Sequence, residues 1–198
     1  ALVALAALKT GRPVRVQLDR DLDLKLTGKR HPFHARFSAG YDRDGRLRAA
    51  QVELVSDGGW SLDLSTAICD RALFHLDNAY YIPAVHFSGR VAKTNVTSHT
   101  AFRGFGGPQG MIVIEEIMDR VARRLGLAPE AVRERNLYHG TGETNRTHYN
   151  EDIGDNRIQD IWQQVLAKAD FTHRRAEVDR WNRANPHMKR WLAVTPVK

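Results

Sequence analysis

The run Thr100-Ala101-Phe102-Arg103-Gly104-Phe105-Gly106-Gly107-Pro108-Gln109-Gly110 constrains this chain more than any other stretch. It sets an arginine and an aromatic among glycines, and Pro108 supplies the fixed φ that suits the first position of a helix. Such a run reads as a loop that grips a ligand as it opens a helix, with backbone N–H groups able to meet an anion. Two common nucleotide fingerprints fail here. The G-x-G-x-x-G pattern counted from Gly104 and Gly106 reaches Gln109 instead of glycine, and no Gly-Lys-Ser/Thr closes the run as in a P-loop. A plain glycine-rich turn between strand and helix is the competing reading, and the local pattern alone names no reaction.

The flanking segments alternate between sheet and helix and predict an α+β fold of mixed strands and helices. Ala1 to Leu8 is an apolar opening that reads as a buried helix ended by Gly11, and Pro13 to Leu18 alternates like a half-buried strand. Phe33 to Tyr41 and Leu47 to Val55 predict a hairpin turned by Asp42-Arg43-Asp44-Gly45. Trp60 to His75 has helical or irregular spacing, and Val85 to Val96 reads as another strand. From Pro108 to Leu125 the apolar set Met111, Ile114, Met118, Val121 and Leu125 keeps helical spacing up to Gly126. Pro129 to Leu137, Ile158 to Ala169 and Thr172 to Asn185 predict three more helices around a polar loop from Thr141 to Asn156, and Trp191 to Val197 is strand-like. Both ends are apolar and without punctuation, the look of a segment cut from a larger chain; an isolated, soluble, cooperatively melting form would count against that.

At 198 residues the chain is long enough for one domain with a substantial core, or for two small ones. No apolar run approaches the roughly 20 residues needed to cross a bilayer. The opening also lacks the basic start of a signal peptide. A single cysteine, Cys69, can form no internal disulfide and hold no iron–sulfur cluster, which suits a reducing, cytoplasmic setting. The formal charge of +7 would permit nucleic-acid binding, but no recognition motif accompanies it. Arg123-Arg124, Arg133 to Arg135 and Arg174-Arg175 sit in helical segments with acidic neighbours and read as solvated helix faces.

Catalytic constellations such as H-E-x-x-H and G-x-S-x-G are missing. The nine histidines are dispersed; His31 and His34, in a predicted strand, point to opposite faces, and neither His75 nor His99 acquires a role. Arg71 is more informative, since Asp70-Arg71-Ala72-Leu73-Phe74-His75 sets a permanent cation in an apolar run, where it needs an anionic ligand or an ion pair with Asp70 or Asp77. Phe105, an aromatic between glycines, lies exposed unless something planar covers it.

Four stretches in order, Gly28-Lys29-Arg30-His31-Pro32-Phe33, Asp70 to Asn78, Lys93-Thr94-Asn95 and Thr100 to Gly110, resemble the molybdenum hydroxylase family. Arg71-Ala72-Leu73-Phe74-His75 narrows the resemblance to the molybdenum-binding subunit of xanthine dehydrogenases, and Arg133 to Tyr138 and Val194 to Lys198 extend it over the whole chain. The resemblance implies one segment, 1–198, of a molybdopterin-binding domain. It implies hydroxylation of hypoxanthine and xanthine to urate, with electrons leaving through 2Fe-2S clusters and FAD to NAD. Arg71 then anchors the purine, Phe105 stacks on it, and the backbone of Arg103 lies beside the molybdenum centre, with the glycines allowing close approach to cofactor and substrate. The family's general-base glutamate falls beyond Lys198, so no catalytic base is expected in this chain, and the segment alone is expected to be inactive. Implied partners are the purine and an FAD/Fe-S subunit or domain, in a dimer of heterodimers, with no nucleic acid and no membrane. The alternatives are an aldehyde oxidase, a branch that usually carries an uncharged residue at the position of Arg71, and a non-catalytic interaction module.

Overall fold

A computed structural model describes residues 1–198. Its centre is a three-stranded sheet in the order β1-β2-β3: β1 (Phe33–Tyr41) pairs antiparallel with β2 (Leu47–Gly59), and β3 (Ala84–Lys93) runs parallel to β2. The hairpin closes as its turn residues demand. Asp42 accepts from the N–H groups of Asp44 and Arg46, and Gly45 takes a φ of 82°. Parallel strands cannot be joined by a tight turn, and the crossover from β2 to β3 carries a helix, Ser65–Phe74.

Seven helices complete the fold: α1 (Leu2–Thr10), α2 (Arg20–Leu26), α3 (Ser65–Phe74), α4 (Gly107–Leu125), α5 (Pro129–Asn136), α6 (Ile158–Lys168) and α7 (Phe171–Ala184). Ala50, Val52, Leu54 and Ser56, at period two on β2, are buried. The first three share one core with Val113, Ile114, Ile117, Met118, Val121 and Ala122 of α4. No helix is long and apolar enough to cross a membrane.

Several expectations are corrected. α1 forms and is ended by Gly11 at φ 63°, but none of its residues is buried and Leu2 is 84% exposed, because nothing in the chain packs against it. Pro13 to Leu18 and Trp191 to Val197 join no sheet, since neither meets a strand edge. The closing stretch is held by side chains instead: Asn78 donates to the Pro196 carbonyl and accepts from the Lys198 N–H. Helix α2 was not anticipated. Asp19 caps it, accepting from the Leu22 N–H at 2.8 Å.

Arg133 is no solvated residue. It is 5% exposed, and its Nε and Nη2 reach Glu115 at 2.7 Å and Asp119 at 2.8 Å on α4. Glu115 also accepts from the Tyr80 hydroxyl and the Asn78 amide, so the buried charge is compensated on every side. His31 precedes β1 rather than lying in it, and is 2% exposed.

Candidate functional site: the glycine loop on helix α3

The loop before α4 turns through three consecutive residues of positive φ, Gly104 at 92°, Phe105 at 47° and Gly106 at 97°. Its shape comes from contact with α3. A Cβ on Gly106 would stand 2.0 Å from the Ile68 carbonyl oxygen, and one on Gly110 would stand 2.2 Å from that of Ala72. These two glycines therefore let the start of α4 lie on the backbone of α3. The close approach that these two glycines serve within the chain is helix to helix.

That contact sets the loop that carries Arg103 and Phe105 beside the helix that carries Arg71. Arg71 lies on α3 in the turn between Ile68 and Ala72, the two residues whose backbone the glycine loop and the start of α4 meet. Arg71 is exposed and forms no ion pair with Asp70, Asp77 or any other carboxylate, against the expectation that an apolar run would bury it. Asp77 is instead buried with other partners: the Tyr138 hydroxyl at 2.5 Å, Lys198 Nζ at 2.6 Å and the His148 ring at 3.3 Å. Burial would raise the Asp77 carboxyl, but these three partners outweigh it and hold the group below the usual range.

Phe105 is half-buried, whereas Phe102 is 53% exposed. Arg103 is exposed, and its carbonyl accepts from Arg30 Nη2 at 2.6 Å. The amides at the start of α4 are less free than expected. Phe105 donates to Phe102, Gly107 to Gly104, and both Gln109 and Gly110 to Gly106, while the N–H groups of Arg103, Gly104 and Gly106 donate to nothing in the chain.

Beneath the loop lies a polar layer to which sequence reasoning gave no role. His31 Nε2 lies 2.7 Å from the Ser65 hydroxyl at the start of α3, and its ring centroid is 5.7 Å from that of His99. Burial, followed by repulsion from His99, pushes the His31 imidazole below its ordinary value of 6.5. His75 packs on Gly107, and burial, then the charge of Arg71, lowers it as well. The one available signal was the G-K-R-H-P-F stretch, but contacts between segments so far apart in sequence are invisible to local spacing. Cys69 is buried and its thiol is pushed up by desolvation, so it is no thiolate nucleophile.

A family model described as "Molybdopterin cofactor-binding domain" matches residues 1–137. The chain belongs to this family. Among sequence relatives, a "Xanthine dehydrogenase/oxidase" of Felis catus is 47% identical over 99% of the chain and 14% of that protein's length. An "Aldehyde oxidase 2" of Cavia porcellus is 42% identical over the whole chain and 15% of its own length. Among solved structures, an aldehyde oxidoreductase of Desulfovibrio gigas matches with a TM-score of 0.72 and 31% identity, over 84% of this chain and 18% of that one. The chain thus spans about one seventh of the length of these curated relatives.

The site fits a share in holding the family's cofactor. No group of three or more His, Cys, Asp or Glu gathers anywhere that could hold a metal ion, so this chain offers no side-chain metal site of its own. The unspent amides of Ala101, Phe102, Arg103 and Gly104, on the exposed part of the loop, are donors that it can offer to oxygen atoms of a bound group.

Proposed function

We propose that residues 1–198 form one segment of the cofactor-binding region of a xanthine dehydrogenase, a cytoplasmic molybdenum hydroxylase that converts hypoxanthine and xanthine to urate. The observation that carries this reading is an unpaired arginine, Arg71, on the turn of α3 against which the glycine loop is packed. When bound, a molybdenum–molybdopterin group supplies the two-electron oxidation and the oxygen transfer, and 2Fe-2S clusters, FAD and NAD outside this chain take the electrons. In this scheme Arg71 hydrogen-bonds an oxo group of the purine and stabilises negative charge that grows on the ring in the transition state. Phe105 covers the flat heterocycle. The Arg103 backbone would help hold the molybdenum cofactor through its N–H, which is free to donate, while its carbonyl is already engaged by Arg30. No side chain of this segment acts as general base. That group, the FAD/Fe-S subunit or domain, and a dimer-of-heterodimers assembly lie outside these residues.

An aldehyde oxidase is the second reading, favoured by the 42% identity to the guinea-pig protein. A charged residue placed to meet a polar substrate group favours purine over aldehyde, because a substrate lacking that group leaves the cation unpaired. The test is xanthine-dependent NAD reduction by the full-length protein, wild type beside Arg71→Met and Phe105→Ala, with an aromatic aldehyde as control. Arg71→Met is expected to cost about 2–4 kcal/mol in kcat/KM for xanthine and far less for the aldehyde. Phe105→Ala is expected to cost about 1–2 kcal/mol, mainly on the heterocycle. Equal losses of Arg71→Met on both substrates would remove its assigned role, and a wild type active only on the aldehyde would select the second reading.

A further inference from the structure

The loop that presents Phe105 needs an outside brace. Three successive residues of positive φ include a phenylalanine, whose side chain disfavours that region, and the first turn of α4 has no side-chain cap. α3 supports the loop from one side through Gly106 and Gly110.

On the other side runs the stretch Gly28 to His31. It is pressed against the chain entering the loop: a Cβ on Gly28 would stand 2.5 Å from the Ser98 carbonyl oxygen and 2.8 Å from Thr100 Cγ2, and Thr100 N–H donates to the Lys29 carbonyl at 3.1 Å. From there the Arg30 guanidinium crosses to the loop. Nη2 donates to the Arg103 carbonyl at 2.6 Å, the guanidinium carbon lies 4.5 Å from the centre of the Phe102 ring, and Nη1 is buried beside Gly104 without an acceptor. Arg30 forms no ion pair, so its only direct polar partner in the chain is the loop backbone. A single planar group thus grips Phe102 by its face and Arg103 by its carbonyl, the two residues that lead into the strained turn.

We propose that Arg30 is a positioning residue that holds the glycine loop, and with it the ring of Phe105, in the conformation the site requires. It acts through Phe102 and Arg103. The substrate class named for its kinetic readout rests on the function proposed above.

The experiment uses the full-length, molybdenum-loaded protein, wild type beside Arg30→Met and Arg30→Lys. Hydrogen exchange of the amides in residues 102–107 is followed without substrate, and kcat/KM is measured for xanthine and for a small aliphatic aldehyde that offers no ring to stack. Arg30→Met is expected to speed exchange at Phe105 and Gly107, and to lower kcat/KM for xanthine about 10- to 100-fold and that for the aldehyde clearly less, since only the heterocycle also loses the ring of Phe105. Arg30→Lys keeps the cation and a donor for the Arg103 carbonyl, so partial rescue is expected; it also keeps the measurement available if Arg30→Met does not fold. Unchanged loop exchange in both variants, or equal loss on both substrates, would overturn the proposal. Faster loop exchange together with a wild type that never oxidises xanthine would leave Arg30 its role and overturn the substrate reading instead.

Discussion

Gly110→Ala tests the helix contact on which the site is built. Gly110 lies inside α4 with ordinary helical backbone, so alanine there carries no φ penalty and would by propensity favour the helix. The new methyl, however, would sit 2.2 Å from the Ala72 carbonyl oxygen, roughly 1 Å inside van der Waals contact. The obstacle is helix backbone, which cannot swing aside like a side-chain tip, so α3 and α4 must separate. Overpacking of this kind costs about 1–3 kcal/mol, or about 5- to 160-fold in local opening. Gly126→Ala is the control: its φ of 67° strains alanine, but no atom lies within 4 Å, leaving only the conformational cost of about 1–2 kcal/mol and no effect on α3. Hydrogen exchange of α3 amides in the full-length protein reads the difference. Protection of α3 unchanged by Gly110→Ala, or lowered as much by Gly126→Ala, would refute the argument that these glycines exist for helix contact.

Two further outcomes follow from buried charges. Arg133→Met leaves Glu115 and Asp119 without their cation, and the exchange protection of α4 and α5 should fall by about 3–5 kcal/mol; adding Glu115→Gln should recover part of that loss. His31 and His75 both have folded values below 6.5, so the unfolded chain binds more protons just below that pH; stability near α3 should fall as pH drops through about 6.5, and His31→Gln should flatten that slope in exchange measured between pH 7.5 and 5.

Much of the fold was legible because its signals are local. The Asp42 to Gly45 turn, the apolar stripe of α4 and the glycine stop at Gly126 each depend on neighbours within a few residues, and the hairpin and α4 formed where the pattern placed them. Helix α2 carries a local signal of the same kind, since Asp19 followed by Asp21 and Asp23 is an N-terminal capping pattern. The false strands at Pro13 to Leu18 and Trp191 to Val197 had the right alternation, but a strand exists only with a partner, and pairing is not a property of the segment.

By itself, then, the sequence determined the elements whose hydrogen bonds close within them, and it placed Arg71 and Phe105 in the segments that meet. Tertiary structure alone decided what those residues face. Gly106 and Gly110 are glycines because α3 passes behind them, Arg133 is buried because α4 offers Glu115 and Asp119, and Arg30 reaches a carbonyl 73 residues away. Each depends on a distance between parts of the chain remote in sequence, and such distances are set only when the whole core packs.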